Sequence, residues 1–206
     1  MVASVHHTLM KLLFFSDIHS DLKALERLVN MEAEYYFAAG DLVSWARGLD
    51  NAGEILKRRA GKTFVIPGNH ESAADIAALC DKYGFVDFHG KHVTIGDVCI
   101  AGLGYSSPTP FNTPGEYSEQ ELALRLDKLA PAQPRVLVCH APPKETKLDR
   151  AGEGQHFGST AVRNFIELNQ PEYFFCGHIH EAEGAEETMG RTLGVNVGKR
   201  GYLLEL

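Results

Sequence analysis

Several features that mark particular protein classes are scarce or missing in this 206-residue sequence. No apolar run is long enough to cross a membrane. The chain has 27 acidic residues against 20 lysines and arginines, a formal net charge of −7, and no basic stretch. Because surfaces that bind nucleic acid or anionic membranes are usually basic, this balance argues against both kinds of partner.

Cysteine is also sparse, and its spacing excludes one kind of metal site. The four cysteines form no C-x-x-C pair, so structural zinc bound by thiolates is not indicated. Two of them end apolar runs, where a free cysteine behaves as a small buried hydrophobic residue. We therefore expect four reduced, structural cysteines in a cytoplasmic protein. They are Cys80, Cys99, Cys139 and Cys176.

The chain shows no internal repeat, low-complexity tract or linker, and its length favours one domain. We expect this domain to span residues 10–206. Residues 1–9 are expected to form a flexible lead-in that lacks the pattern of a secretory signal. His6 and His7 lie in that segment and are given no role.

Short apolar runs alternate with segments of helical period, which indicates an α/β protein with helices covering a sheet on both faces. Strands are predicted at 11–15, 35–39, 63–67, 135–139 and 173–176, and paired strands within 93–103 and 192–206. Helices are predicted at 21–30, 53–60, 72–83, 119–129 and 159–168. Ser118 is the expected N-cap of the fourth helix, and Ser159 or Thr160 that of the fifth.

Five of the predicted strands are followed by polar residues of types that bind metals. These residues are Asp17, Asp41, Asn69, His140 and His178. Because ligands bind at the carboxyl ends of strands in α/β folds, the five side chains should converge on one edge of the sheet. His180 would point to the same side as His178 if that segment is extended, since residues i and i+2 share a face.

The donor atoms in this set point to a centre with two metal ions. Carboxylate, amide and imidazole donors without sulfur suit Mn, Fe, Zn, Ni or Co. The candidates are too many for one tetrahedral ion and suit two ions about 3.5–4 Å apart that share a carboxylate. Asp41 is the natural candidate for that bridge. Each residue alone has an ordinary explanation as a turn, a helix cap or a solvated side chain. The prediction of a metal site therefore rests on their shared position at one edge of the sheet.

The order of these blocks resembles the calcineurin-like binuclear metallophosphoesterases. That family's pattern is D-x-H, G-D, G-N-H-E/D, a single histidine and G-H-x-H, and all five blocks occur here in order between Asp17 and His180. The segments HAPP, HFGS and CGHIHE, at 140–143, 156–159 and 176–181, resemble the small prokaryotic-type phosphoesterases of this family. The resemblance implies a four-layer α/β/β/α sandwich, with the hairpin at 93–103 and the C-terminal strands in its second sheet.

The resemblance also implies a role for each residue of the site. Asp17, His19 and His180 would bind the first of two divalent ions, Asn69, His140 and His178 the second, and Asp41 both. Manganese is favoured among the candidate metals. His70 would not be a ligand; it would stabilise developing charge or donate a proton to the leaving oxygen, while a hydroxide that bridges the metals attacks phosphorus.

Some residues near the motifs have open roles. Glu71 is equally suited to orienting His70 and to capping the following helix. His156 precedes a helix start, where backbone N–H groups can receive an anion, and is a candidate substrate contact. The aromatic side chains of the long loop at 104–117 could stack on a nucleobase of a substrate, but packing of this loop against the core is favoured. The aromatic residues of this loop are Tyr105, Phe111 and Tyr117.

Together these features predict a metal-dependent phosphoesterase for a small phosphate ester, with a phosphodiesterase favoured and a nucleotide as one candidate substrate. The alternatives are a phosphomonoesterase, a phosphoprotein phosphatase or a non-catalytic metal-binding scaffold of the same fold. A scaffold is disfavoured because His70 and all seven expected ligands are present. A nuclease is disfavoured by the acidic balance. The sequence leaves the oligomeric state open.

Overall fold

A computed structural model describes residues 9–206 and shows eleven strands and five α-helices in that part of the chain. The strands are β1 (Lys11–Phe15), β2 (Tyr35–Ala38), β3 (Thr63–Val65), β4 (Val86–Asp87), β5 (Lys91–Ile95), β6 (Val98–Leu103), β7 (Val136–Cys139), β8 (Tyr173–Cys176), β9 (Glu186–Met189), β10 (Thr192–Asn196) and β11 (Tyr202–Glu205). The helices are α1 (Leu22–Asn30), α2 (Leu49–Leu56), α3 (Ala73–Tyr83), α4 (Glu119–Leu129) and α5 (Thr160–Asn169). Apart from Leu9, the predicted lead-in lies outside the described residues. No described helix is both long and apolar enough to span a membrane.

The strands form two sheets rather than the single sheet that the sequence pattern suggested. The first has the order β11-β1-β2-β3-β4, and the second has the order β5-β6-β7-β8-β10-β9. In the first sheet β1 to β4 are parallel and β11 is antiparallel to β1. In the second sheet the four inner strands are parallel and the edge strands β5 and β9 are antiparallel to their neighbours.

Alternation along the strands builds the four layers that the family resemblance implied. Leu13 and Phe15 of β1 pack against α1, α2 and α3, whereas Leu12 and Phe14 face the core between the sheets. The outer face of the second sheet is covered by α4 and α5. The central strands are therefore buried on both faces, which explains their continuous apolar sequences. The result is an α/β/β/α sandwich.

The helix boundaries follow the predictions where a cap can be recognised in the sequence. The hydroxyls of Ser72, Ser118 and Ser159 accept N–H groups at the starts of α3, α4 and α5. The helix predicted at 53–60 is present but begins earlier, because α2 starts after Gly48 and ends at Leu56, and a 3-10 turn continues the chain over Lys57–Arg59. Gly53 lies inside α2, where an added Cβ would come within 2.3 Å of the Tyr83 ring. This glycine thus serves close packing of α2 on α3.

The C-terminal strands do not both lie in the second sheet, and that prediction was wrong. β10 pairs with β8 in the second sheet, whereas β11 pairs with β1 in the first. The sequence GKRG resembles a hairpin turn, but Gly198–Arg200 is a 3-10 turn between strands of different sheets. The short strands β4 and β9 were not predicted, because they carry little apolar patterning.

The four cysteines are free, and they lie within or at the margin of the core. Cys139 and Cys176 are the last residues of β7 and β8. Burial raises the pKa of both thiols and raises that of Cys80 to about 12. These side chains therefore act as packing groups in the thiol form.

The ring of Phe14 joins the two sheets and is expected to contribute strongly to stability. Its centroid lies 4.8 Å from that of Phe37 in the same sheet and 4.0 Å from that of Phe175 in the opposite sheet. Phe14→Ala should lower the free energy of unfolding by about 3–5 kcal/mol, because it leaves a cavity between the sheets. Urea unfolding measures this loss. Leu168→Ala, at a side chain 83% exposed, is the control and should stay within about 0.5 kcal/mol; equal losses in both variants would contradict the assignment.

Candidate metal centre

All seven predicted ligands meet at an edge that the two sheets share. Asp17, Asp41 and Asn69 follow β1, β2 and β3 of the first sheet, while His140 and His178 follow β7 and β8 of the second. The carboxyl ends of these five strands thus lie together. His19 and His180, from the loops after β1 and β8, complete the group.

One half of the group is formed by Asp17, His19 and His180. The Nε2 atoms of the two histidines lie 2.9 Å apart. Oδ1 of Asp17 lies 3.5 Å from Nε2 of His180 and 3.9 Å from Nε2 of His19. Three atoms that can bind a metal therefore face one small region.

The other half is formed by Asn69, His140 and His178. Oδ1 of Asn69 lies 3.1 Å from Nε2 of His140 and 2.9 Å from Nδ1 of His178. Asn69 and His140 are buried. This half likewise brings one oxygen and two imidazole nitrogens together.

Asp41 lies between the two halves. Its Oδ2 atom is 3.5 Å from Nε2 of His19 and 3.4 Å from Nε2 of His140. One carboxylate therefore contacts a histidine of each half, which is the position a bridging ligand requires. The side chain is almost completely buried, as the residue is only 1% exposed.

The donor atoms fit divalent metal ions because neighbouring groups fix their orientation. Nδ1 of His140 donates to the carbonyl of Ala39 at 2.8 Å, which directs its Nε2 towards the site. The amide nitrogen of Asn69 donates to the Thr113 hydroxyl at 3.2 Å, so the amide oxygen faces inward. Nδ1 of His19 lies 3.1 Å from the Ser44 hydroxyl. Such contacts orient the ligands of metal sites.

The sequence profile of the calcineurin-like phosphoesterase family matches residues 10–182. The chain belongs to this family. An uncharacterized protein from Methanocaldococcus jannaschii is 29% identical over 205 residues, covering 95% of this chain and 91% of the relative.

Solved structures with a similar fold include TT1561 from Thermus thermophilus, with a TM-score of 0.71 and 18% identity over 96% of this chain and 99% of that one. A dimetal phosphatase from Danio rerio has a TM-score of 0.63 and 14% identity over 91% of this chain and 86% of that one. At these identities the likeness shows a shared fold.

The backbone of this calcineurin-like phosphoesterase turns at the ligands themselves. Asp17, His19, Asp41 and His178 all have left-handed φ angles, of 54°, 44°, 54° and 70°. Such conformations cost roughly 1–3 kcal/mol each when the residue is not glycine, so contacts must hold them. The N–H of His178 donates to both carboxylate oxygens of Asp17, at 3.1 and 3.0 Å.

Two of the glycines beside the ligands provide room rather than a turn. A Cβ on Gly68 would lie 2.0 Å from Oδ1 of Asp41, and one on Gly177 would lie 2.2 Å from Oδ2 of Asp17. Gly40, which precedes Asp41, does turn the chain, since its φ is 95°. At the other two positions glycine is needed because a carboxylate packs against the backbone.

Glu71 has neither of the roles proposed from the sequence. The oxygens of its fully buried carboxyl group accept N–H groups from Asp41 at 3.1 Å, Val43 at 3.0 Å and Gly68 at 2.9 Å. Burial and the charge of Asp41 raise the pKa of this group to about 8. The start of α3 is capped instead by Ser72. Glu71 therefore ties the loop after β2 to the loop after β3, and so positions Asp41.

His70 lies at the centre's edge with its ring orientation fixed. Its Nδ1 accepts the N–H of Trp45 at 3.3 Å, so the neutral ring carries its proton on Nε2. One of its ring nitrogens lies within 4.8 Å of ligand atoms of His19 and Asp41. The ring also lines a cavity of about 470 Å³ together with Asn69.

Burial and neighbouring charges shift the pKa values of the candidate ligands in different directions. Burial alone would lower the pKa of His140, but the carboxylates of Asp41 and Asp17 outweigh it and raise that pKa to about 9. Burial, aided by the charge of His140, lowers the pKa of His178 to about 4. Burial would raise the pKa values of Asp17 and Asp41, yet neighbouring histidines hold both below the ordinary value.

His156 is not among the described residues that line the cavity. Its Nδ1 lies 2.7 Å from Oδ1 of the buried Asp149, and its neighbour Phe157 lines the cavity. The contact of His156 with substrate stays a prediction. Ser44, Asp149 and Phe157 were not predicted, because isolated residues in connecting segments have no periodic pattern.

The loop at 104–117 uses its aromatic residues in two ways. Tyr105 and Tyr117 pack together with ring centroids 4.6 Å apart, and the Tyr105 hydroxyl accepts the N–H of Ala73 at 2.8 Å. Phe111 is instead exposed and lines the cavity beside His70. The expectation that these rings pack against the protein, and do not stack on a base, is therefore right for the two tyrosines and wrong for Phe111.

Replacing Glu71 by glutamine tests its positioning role. The amide NH₂ of glutamine would face a backbone N–H that now has a carboxylate acceptor, leaving a buried donor unpaired. Glu71→Gln should lower the free energy of unfolding by about 1–3 kcal/mol and weaken Mn²⁺ binding. Urea unfolding with chelator and calorimetric titration measure these effects. Glu26→Gln, at an exposed ion pair with Arg58, is the matched control; unchanged metal affinity in Glu71→Gln would refute the role.

Metal binding should be linked to proton release. Because the pKa of His140 is about 9 in the metal-free protein, this imidazole holds a proton at neutral pH that a metal must displace. The affinity for Mn²⁺ should therefore rise with pH up to about pH 9. Loss of this one proton should contribute up to about a tenfold increase in affinity per pH unit. Titrations at pH 6.5, 7.5 and 8.5, in two buffers of different ionisation heat, measure affinity and proton count. An affinity independent of pH with no proton released would contradict the assignment.

Proposed function

We propose that this chain is a phosphodiesterase for small phosphate esters that works with two divalent ions, manganese being favoured. The observation that carries the proposal is the position of Asp41, whose Oδ2 lies within 3.5 Å of Nε2 of both His19 and His140. A shared carboxylate between two groups of ligands suits a pair of metals. Family membership supports phosphoester chemistry.

The two groups of side chains would each hold one ion. Asp17, His19 and His180 would hold the first, Asn69, His140 and His178 the second, and Asp41 both. When bound, the ions would activate a water molecule for attack on phosphorus and offset the charge on the phosphoryl oxygens. The burial of Asp41 and His140 keeps bulk water from weakening these interactions.

His70 would assist the departing group. The contact of its Nδ1 with the Trp45 N–H places the proton on Nε2. Nε2–H would then donate to a phosphoryl oxygen or to the leaving oxygen, which stabilises the charge that develops there. The cavity beside His70 has room for an organic group on the phosphorus, since it measures about 470 Å³.

This cavity favours a small molecule over a protein substrate. The loop at 104–117 and the segment around Phe157 both contribute to its walls, whereas a phosphoprotein phosphatase needs an open groove. A phosphomonoesterase is the alternative, because the Danio rerio structure of the same fold is a phosphatase. The net charge of −7 is in keeping with a partner other than nucleic acid or a membrane surface.

Hydrolysis of bis-p-nitrophenyl phosphate and p-nitrophenyl phosphate tests the proposal. Mn²⁺-loaded protein should cleave the diester, and chelated protein should not. His70→Ala should lower kcat by about 10²–10⁴-fold while metal content is retained, because a proton donor is lost. Asp41→Ala should lose metal as well as activity, which elemental analysis would detect.

One variant serves as the control for this experiment, and two results would contradict the proposal. His92→Ala removes an exposed histidine of β5 and should leave both activities unchanged. Cleavage of the monoester alone would replace the diesterase by a phosphatase. Absence of turnover by protein that holds two metals would favour the scaffold alternative.

A further inference from the structure

The cavity beside His70 has an apolar outer wall that the proposed reaction does not use. Phe111 lies between β6 and α4, and Phe157 lies just before α5, yet both line this cavity. They are 72% and 53% exposed, although large apolar side chains are usually buried. Two exposed phenylalanines at one cavity beside candidate metal ligands indicate a surface that a ligand covers.

Hydrogen bonds hold the segment that carries Phe111. The carboxylate of Glu116 accepts the N–H of Thr113 at 2.8 Å and the hydroxyls of Thr113 and Thr109 at 2.6 and 2.7 Å. The N–H of Phe111 donates to the Thr109 hydroxyl at 3.2 Å. Because the Thr113 hydroxyl also accepts the amide N–H of Asn69, the position of Phe111 is linked to a predicted metal ligand.

Asp149 holds the segment that carries Phe157. This buried carboxylate accepts the N–H of Gly158 at 2.9 Å and contacts Nδ1 of His156 at 2.7 Å. The residues on both sides of Phe157 are thus anchored to one side chain. The two phenylalanines are therefore presented by segments whose positions are fixed before a ligand arrives, which limits the entropy that binding would cost.

The charge of the cavity limits which organic groups would bind. Among the described residues that line it there is no lysine or arginine, and Glu181 lies at the wall. A phosphoryl group would occupy the polar end beside Asn69 and His70, so the remainder of the ligand would meet the phenylalanines and the prolines of the same loop. A second anionic group there would find no cation and would approach Glu181.

We propose that the site selects phosphate esters with a single phosphoryl group and an uncharged aromatic substituent that binds against Phe111 and Phe157. This proposal rests on the phosphoesterase function proposed above and adds its substrate class. The polar residues fix the phosphoryl group, and the two rings provide affinity for the organic part. Polyphosphorylated and otherwise anionic esters are disfavoured by the same wall.

Calorimetric titration of the Mn²⁺-loaded protein with phenylphosphonate and methylphosphonate measures the contribution of the ring without turnover. Phenylphosphonate should bind more tightly. Phe111→Ala and Phe157→Ala should each reduce that preference by roughly fivefold or more, the effect of losing one aromatic stacking contact. Methylphosphonate affinity should not change in either variant. 4-Phosphonobenzoate, which adds a carboxylate to the ring, should bind more weakly than phenylphosphonate.

Two matched variants separate the contribution of the phenylalanine rings from general effects of a substitution. Phe111→Tyr retains a ring and should keep the phenyl preference. Leu168→Ala removes an exposed apolar side chain that does not line the cavity, and should leave both affinities unchanged.

The contrary results separate the aromatic selection from the phosphoesterase function on which it rests. Equal binding of the two phosphonates, or a phenyl preference that survives in both alanine variants, would overturn the aromatic selection. If bis-p-nitrophenyl phosphate were still hydrolysed in that case, the phosphoesterase function would stand. If neither phosphonate binds and no hydrolysis occurs, both proposals are overturned.

Discussion

The buried carboxylate of Asp41 is the constraint around which the centre is built. A carboxylate that is 1% exposed is costly unless opposite charges or hydrogen bonds compensate it. The N–H of His70 donates to it at 2.9 Å, and histidines from both halves of the site face it. Gly68 leaves the space that it occupies, and Glu71 fixes its backbone. Loss of these histidines would leave a buried negative charge without sufficient compensation, whereas loss of Gly68 or Glu71 would displace the carboxylate from its partners.

The two-sheet architecture supplies those partners from opposite directions. Asp41 follows β2 of the first sheet, whereas His140 and His178 follow strands of the second. The stacked rings of Phe14 and Phe175 set the sheets against each other, and the contact between the His178 N–H and Asp17 joins their carboxyl ends. The spacing of the candidate ligands therefore depends on packing in the core between the sheets. A single open sheet would offer strand ends from one layer only.

The sequence pattern predicted the strand ends that bring the seven candidate ligands together, whereas the second sheet was implied by the family resemblance alone. Strand ends could be recognised because each continuous apolar run stops at a polar motif, and the helix starts at Ser118 and Ser159 were visible as caps. The division of the C-terminal strands could not be predicted, because a 3-10 turn and a hairpin turn share the glycines and charges of GKRG. The role of Glu71 was hidden for a related reason. Two of its three partners are backbone N–H groups about 30 residues away, and backbone groups leave no pattern of residue types.

The division between a polar centre and an apolar wall has a structural origin. The ligands come from loops fixed directly at strand ends, whereas Phe111 and Phe157 come from longer connections before α4 and α5. Thr113 links these layers, because its hydroxyl accepts the amide N–H of Asn69 while its own proton goes to Glu116. A change in the loop at 104–117 would therefore act on the orientation of the Asn69 oxygen as well as on the wall. The position of Phe111 and the orientation of Asn69, a candidate metal ligand, are thus physically coupled, so the loop is less free to vary than its exposure suggests.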